Sequence, residues 1–160
     1  MTKIIVLSDT HGNPKNIDEL LPLIAENDYV IHLGDGAGDM RQVFSEYPDK
    51  LYLCAGNCDY FAPYPTSGEL EVEGRKIFFC HGHQYGVKQD LLALALAAKS
   101  RGADIVLYGH THRAQIDEYN GVLLINPGSL KCPVHKGGSY CYLVINKDKA
   151  TPVIVGDRYN

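Results

Sequence analysis

One pattern constrains this chain more than any other: a short, unbroken apolar run stops at a loop of glycine with aspartate, asparagine or histidine. It occurs five times. Ile4–Leu7 ends at Ser8-Asp9-Thr10-His11-Gly12-Asn13, and Val30–Leu33 ends at Gly34-Asp35-Gly36. Leu51–Ala55 ends at Gly56-Asn57-Cys58-Asp59, Ile77–Cys80 at His81-Gly82-His83, and Ile105–Tyr108 at Gly109-His110-Thr111-His112. Runs this short and this apolar predict strands buried on both faces. In α/β sheets, ligands settle in the crevice at the carboxyl ends of the strands. Here every such end delivers an imidazole, a carboxylate or an amide, and the glycines let the backbone turn sharply and approach a ligand closely.

The intervening segments fill out an α/β domain. Asn16–Glu26 sets Ile17, Leu20, Leu21 and Ile24 on one helical face, with Pro22 interrupting its register. Asp90–Lys99, rich in Ala and Leu, predicts a second helix. Leu70–Val72 and Lys76–Phe79 flank Glu73-Gly74-Arg75, and Gln115–Glu118 and Val122–Ile125 flank Tyr119-Asn120-Gly121; both read as hairpins. Tyr140–Ile145 and Pro152–Val155 form a last pair. The expectation is a set of mixed sheets, the later strands forming a second sheet packed on the first. At 160 residues, residues 1–160 suit one domain.

Composition excludes several classes. A net charge of −4 with no basic block argues against stable nucleic-acid binding. Five cysteines (Cys54, Cys58, Cys80, Cys132, Cys141) without CxxC spacing argue against a disulfide framework and a thiolate zinc site. The four-residue run after Met1 is too short for a signal peptide or a membrane span. The reading is a reduced, cytoplasmic protein with no membrane partner.

Any one of these strand-end residues has an ordinary structural explanation, as a cap or a turn. Five in series do not. Imidazoles and carboxylates without thiolates suit divalent ions in five- or six-coordinate sites: Mn²⁺, Ni²⁺, Fe, Zn²⁺ or Mg²⁺. Asp9, His11, Asp35, Asn57, His81, His110 and His112 are too many for one ion with an open position, and suit two ions sharing a carboxylate.

Asp9-x-His11, Gly34-Asp35, Gly56-Asn57, His81 and Gly109-His110-x-His112, in that order, resemble the motifs of calcineurin-like metallophosphoesterases. The short chain, Asn57-Cys58-Asp59 and Ile125-Asn126-Pro127-Gly128-Ser129 are similar to the small YfcE-like phosphodiesterase branch. The resemblance implies a four-layer αββα sandwich of two mixed β-sheets flanked by helices. It implies two divalent ions, Mn²⁺ favoured: Asp9, His11 and His112 on one, Asn57, His81 and His110 on the other, Asp35 bridging. A hydroxide between the metals would attack a small phosphodiester, with some phosphomonoesters also accepted. Many relatives carry a histidine after the asparagine, as acid for the leaving oxygen; Cys58 stands there. Asp39 lies one place beyond the family's second aspartate, and a helix N-cap before Met40–Phe44 is an equal reading.

Among the remaining residues, Asn13, His83 and Arg113 are expected to touch substrate, while Asp59 either orients a ligand or caps its loop. Tyr60, Phe61, Tyr64 and Tyr85 adjoin the ligand loops, and Pro127-Gly128 supports the site. His32, inside a strand, and His135, in a late loop, receive no role. The family also implies a homo-oligomer, dimer or tetramer. The competing function is a catalytically weak interaction scaffold resembling a retromer subunit on the same fold.

Overall fold

The computed structural model describes residues 1–156; the last four residues of the expected domain lie outside the described residues. Two five-stranded mixed sheets stack face to face. The first comprises β1 (Thr2–Leu7), β2 (Tyr29–His32), β3 (Leu51–Leu53), β9 (Ser139–Asn146) and β10 (Lys149–Gly156), in the order β10-β9-β1-β2-β3. The second comprises β4 (Ser67–Val72), β5 (Arg75–Cys80), β6 (Ile105–Leu107), β7 (Ala114–Tyr119) and β8 (Val122–Pro127), in the order β4-β5-β6-β8-β7. β1, β2 and β3 run parallel, as do β5, β6 and β8, while the outer strands pair antiparallel.

Period-two alternation explains why the strands read as continuously apolar. Ile4 and Val6 of β1 meet Ile77 and Phe79 of β5 and Ile105 and Leu107 of β6 in the layer between the sheets. Ile5 and Leu7 point the other way, onto α1 (Pro14–Asp18), α2 (Leu21–Glu26) and α3 (Arg41–Glu46), through Ile17, Ile24 and Val43. On the far side Phe78, Val106 and Leu124 take α4 (Leu92–Ser100) through Leu94, Ala95 and Ala98. The result is the expected αββα layering. No helix among the described residues is long and apolar enough to cross a membrane.

Three local expectations need correction. The stretch 16–26 is two helices, because Pro22 has no N–H to donate back and instead occupies the first turn of α2. The last strand pair does not join the second sheet: β9 pairs with β1 and β10 with β9. β1 is buried on both faces, and without β9 one of its edges would bury unpaired backbone groups. Asp39 does not cap α3, whose N-cap is Met40; its carboxylate turns to the first loop, as described below.

The two sheets bring their five polar loops to one end. Asp9 N–H donates to Gly34 O at 3.0 Å and His11 N–H to Asp35 O at 3.0 Å, zipping the first loop to the second. Gly109 N–H donates to His81 O at 2.9 Å, zipping the fifth to the fourth. A Cβ at Gly34 would lie 2.5 Å from Gly56 N, so only glycine lets the second and third loops approach this closely.

Candidate metal centre

Six of the predicted ligands converge with their donor atoms. Asp9 Oδ1, His11 and His112 form one group and Asp35, His81 and His110 another, the donors of each within 4.8 Å of one another. His112 Nε2 stands 3.1 Å from Asp9 Oδ1 and 3.1 Å from His11 Nε2. His81 Nε2 stands 3.2 Å from Asp35 Oδ2 and 3.2 Å from His110 Nδ1. The groups touch: His11 Nε2 is 3.9 Å from Asp35 Oδ2, and His81 Nε2 is 3.9 Å from Asp9 Oδ1. Asn57 is exposed on the third loop, its Nδ2 lying 3.6 Å from Cys58 Sγ.

The donors are aimed by their other contacts. Asp9 Oδ2 accepts from Ser8 Oγ and from His110 N–H at 3.1 Å, leaving Oδ1 buried without a partner. A fully buried carboxylate oxygen facing imidazole nitrogens is costly unless a cation meets it. His81, also fully buried, shares 2.8 Å with Leu33 O through Nδ1. A carbonyl only accepts, so Nδ1 carries the proton and Nε2 faces the centre.

The site also holds unusual backbone. Asp9 (φ 56°), His11 (49°), Asp35 (57°), His110 (72°) and His112 (62°) are left-handed. Glu73, Asn120 and Lys147 share that conformation at the tips of hairpins, where it is ordinary. For five site residues to adopt it, at about 1–2 kcal/mol each, is strain that the zipped loops impose. Such strain concentrates at functional sites.

Charge follows the same geometry. Burial works against the charge on Asp9, but the adjacent His112 imidazole, the field of His81 and the Ser8 hydroxyl outweigh it and hold its carboxyl below the usual range. Burial likewise opposes Asp35, and the adjacent His81 imidazole and the Cys58 N–H carry it far lower. His81 is pushed down by burial and up, by more, by Asp35 and Asp9. His110 is lowered by burial, His81 and Lys88. Both carboxylates are therefore ionised near neutral pH.

This donor set fits divalent ions. Cis ligands about 2.1 Å from a common octahedral ion stand about 3 Å apart, the spacing seen within each group. Two imidazole lone pairs facing at 3.1 Å repel unless a proton or a metal lies between them.

Support for the ligands comes largely from residues the sequence reading missed or left open. Asp59 accepts four backbone N–H groups: those of Asp35 and Gly56 at 2.8 Å, Gly36 at 2.9 Å and Ala37 at 3.2 Å. It therefore orients the Asp35 loop. Asp39 Oδ2 accepts from Thr10 Oγ1 at 2.6 Å and Gly12 N–H at 2.9 Å, pinning the loop that carries His11. Asn126 Nδ2 holds Gly109 O at 3.2 Å and Thr111 Oγ1 at 2.9 Å, and Ser129 Oγ donates to Asp9 O at 2.8 Å. The Pro127-Gly128 turn thus supports the site, as anticipated.

His32 has a structural part after all. Its Nδ1 accepts from Gly34 N–H at 3.0 Å, so its Nε2 is the protonated nitrogen, donating to Thr10 Oγ1 at 3.0 Å. A histidine inside an otherwise apolar buried strand was the signal. Burial depresses its pKa to about 4. Because the folded value lies below the ordinary 6.5, unfolded chains take up a proton that folded ones refuse as pH falls from 6.5 towards 4. Stability from this group is full above pH 6.5 and is lost below it, by up to about 3 kcal/mol. Imidazole ¹⁵N shifts at pH 5.5 should show His32 neutral with its proton on Nε2; a protonated His32 there would contradict the assignment.

The residues expected at substrate divide. His83 stands with its ring 5.5 Å from that of His81 and 6.1 Å from that of His110, its Nδ1 buried without a partner. Asn13 spends its Nδ2 on Thr10 O at 2.8 Å and His11 O at 3.2 Å, closing the turn. Arg113 is exposed, and its backbone N–H donates to Thr111 Oγ1 at 3.2 Å. Tyr85 packs edge-on against Phe78, while Tyr60 and Phe61 are exposed. Tyr64 lines a cavity with Phe44, away from the ligands.

Comparison with known proteins agrees with this geometry. Residues 2–148 match the model of the calcineurin-like phosphoesterase superfamily domain. A probable metallophosphoesterase of Bacillus subtilis, YsnB, is 36% identical over 92% of this chain and 87% of its own length. The phosphodiesterase YfcE of Escherichia coli is 25% identical over 99% of this chain and 95% of its own. A predicted phosphoesterase structure from Streptococcus pneumoniae superposes with a TM-score of 0.81 at 28% identity, covering 96% of this chain and 88% of that one. Vps29 from Chaetomium thermophilum shares the fold, with a TM-score of 0.76 at 16% identity over 98% and 100% of the two chains.

Proposed function

This chain belongs to the calcineurin-like phosphoesterase superfamily, and from that premise we propose that it hydrolyses phosphodiesters at a site holding two divalent ions, Mn²⁺ favoured. Asp9, His11 and His112 would hold one ion, Asn57, His81 and His110 the other, and Asp35 would bridge. The observation that carries the reading is the buried Asp9 Oδ1, with no hydrogen-bond partner and three imidazole Nε2 atoms around it at 3.1, 3.6 and 3.9 Å.

When bound, such ions lower the pKa of a water towards 7 and neutralise charge growing on the phosphoryl oxygens. The chain's own groups prepare that environment. Asp9 and Asp35 stay ionised, and Leu33 O holds His81 with Nε2 inward. Asp59 and Asp39 keep the two aspartate loops from relaxing, so the donors are placed before substrate arrives. Hydrolysis adds water across one P–O bond and releases an alcohol and a phosphomonoester.

The leaving alcohol needs a proton, and the position suited to supply it holds Cys58. The slight burial of its thiol and the nearby Asp35 carboxylate raise its pKa, leaving it protonated but a weak acid at neutral pH. We therefore expect aryl phosphodiesters to be favoured over alkyl phosphomonoesters. Cys58→His should raise kcat/KM for alkyl leaving groups by about 10²-fold relative to aryl ones. Equal gains for both classes would remove the leaving-group argument.

A scaffold role on the same fold would not require the seven candidate ligands, all of which this sequence keeps, nor the strained backbone that displays most of them. The deciding experiment is hydrolysis of bis(4-nitrophenyl) phosphate with Mn²⁺, with and without chelator. Turnover that chelator abolishes supports the enzyme; no turnover with any divalent ion supports the scaffold.

A further inference from the structure

Beside His112, a cavity of about 170 Å³ opens between the metal centre and the segment 129–139, lined by Ser129, Lys131, Lys136, Gly138 and Ser139 as well as His112. His112 thus belongs to both the centre and the cavity wall. Charge there departs from that of the whole chain. The net charge is −4, yet from Val122 to Asn146 the chain carries Lys131, His135 and Lys136 and no aspartate or glutamate. Among the described residues, Arg75 and Lys76 have carboxylates within 4.0 Å, whereas neither Lys131 nor Lys136 does.

The backbone that presents these lysines is fixed. Leu130 is buried, its N–H donates to Ser8 O at 3.0 Å, and its carbonyl accepts from Asn16 Nδ2 at 2.9 Å. Ser139 closes the other end: its N–H reaches Ser129 O at 3.1 Å and its Oγ donates to Pro127 O at 2.7 Å. Between them, Lys136 N–H and Gly138 N–H converge on Pro133 O at 2.9 and 3.0 Å. A Cβ at Gly138 would collide with Cys132 O, so the two arms of the loop pack backbone to backbone. The segment is also tied to the metal centre, through Ser129 Oγ on Asp9 O. The fixed backbone spares the loop its own ordering cost, leaving that of the two lysine side chains when they meet a dianion.

We propose that this cavity is a second phosphate subsite, and that the substrate is a small phosphodiester carrying a further phosphate beyond the one that reacts. This rests on the phosphoesterase reading above and names the substrate class of that site. Lys131 and Lys136 hold the distal phosphate as point charges, while the reacting phosphoryl group lies on the other side of His112. Both lysines are exposed, so the attraction weakens with salt.

The test compares ω-phosphoalkyl 4-nitrophenyl phosphates, with linkers of two to four carbons, against the matching alkyl esters. Leaving group and reacting centre are then identical, and only the distal phosphate differs. For the wild type, kcat/KM should favour the phosphate-bearing ester by roughly tenfold for at least one linker. The preference should fall towards unity at 0.5 M salt and in the double variant Lys131→Gln/Lys136→Gln. No preference with any linker, or one that survives in the double variant, overturns the proposal. A second measurement does not need turnover. Inorganic phosphate added to chelator-treated protein should shift the backbone amide resonances of Ser129–Ser139, and the double variant should lose those shifts. Absent shifts overturn the subsite even if hydrolysis is robust. Shifts without any hydrolysis would keep the anion site and remove the phosphoesterase reading instead.

Discussion

Asp35→Ala should lower hydrolysis of bis(4-nitrophenyl) phosphate by about 10³-fold or more while leaving the chain folded. Asp35 reaches both groups, at 3.2 Å from His81 Nε2 and 3.9 Å from His11 Nε2. Removing its carboxylate would take away the negative charge between the two proposed cations and free the Cys58 N–H that it accepts at 2.7 Å. Its loop retains the hydrogen bonds to Asp59. The loss should therefore be in metal binding, read by calorimetric titration of Mn²⁺, with circular dichroism unchanged. Near-normal turnover by Asp35→Ala would exclude a bridging role.

The second large effect is expected at a residue that touches no metal ligand side chain. Asp59→Ala leaves four backbone N–H groups, those of Asp35, Gly36, Ala37 and Gly56, without their acceptor. Asp35 then loses the restraint on its left-handed backbone. Partners of this kind change metal affinity or activity by roughly 10–100-fold when removed. We expect a loss of that size in Mn²⁺ affinity, with excess Mn²⁺ restoring part of kcat, together with a lower urea midpoint. Asp59→Asn keeps one acceptor oxygen and should fall between. A weaker urea midpoint with unchanged Mn²⁺ affinity would make Asp59 a loop cap only.

The difference between Asp35 and Asp59 shows what the chain declares openly. A metal ligand must be a particular residue type, so the candidate ligands Asp9, His11, Asp35, His81, His110 and His112 stand out at strand ends against the apolar runs that precede them. The strands themselves declare their burial, because two packed faces leave no room for polar alternation. Asp59, Asp39, Asn126 and Ser129 act through backbone groups and loop hydroxyls, and many loop residues could do the same work. Their role depends on which loops meet, a long-range fact. The destination of the last hairpin was hidden for the same reason: β9 completes the edge of β1, more than 130 positions earlier in the chain. Pro22 did mark its helix boundary, but whether it kinked or split the segment depended on packing against the first sheet. The left-handed conformation of five candidate ligands has no signature in their side chains, since the neighbouring glycines account only for their own turns.

A bridged pair of ions requires a definite stoichiometry. Metal-stripped protein titrated with Mn²⁺, with binding and hydrolysis of bis(4-nitrophenyl) phosphate followed together, should bind two equivalents per chain and reach full activity only as the second is taken up. Saturation of activity at one equivalent, or activity that persists in excess chelator, would contradict a two-ion centre.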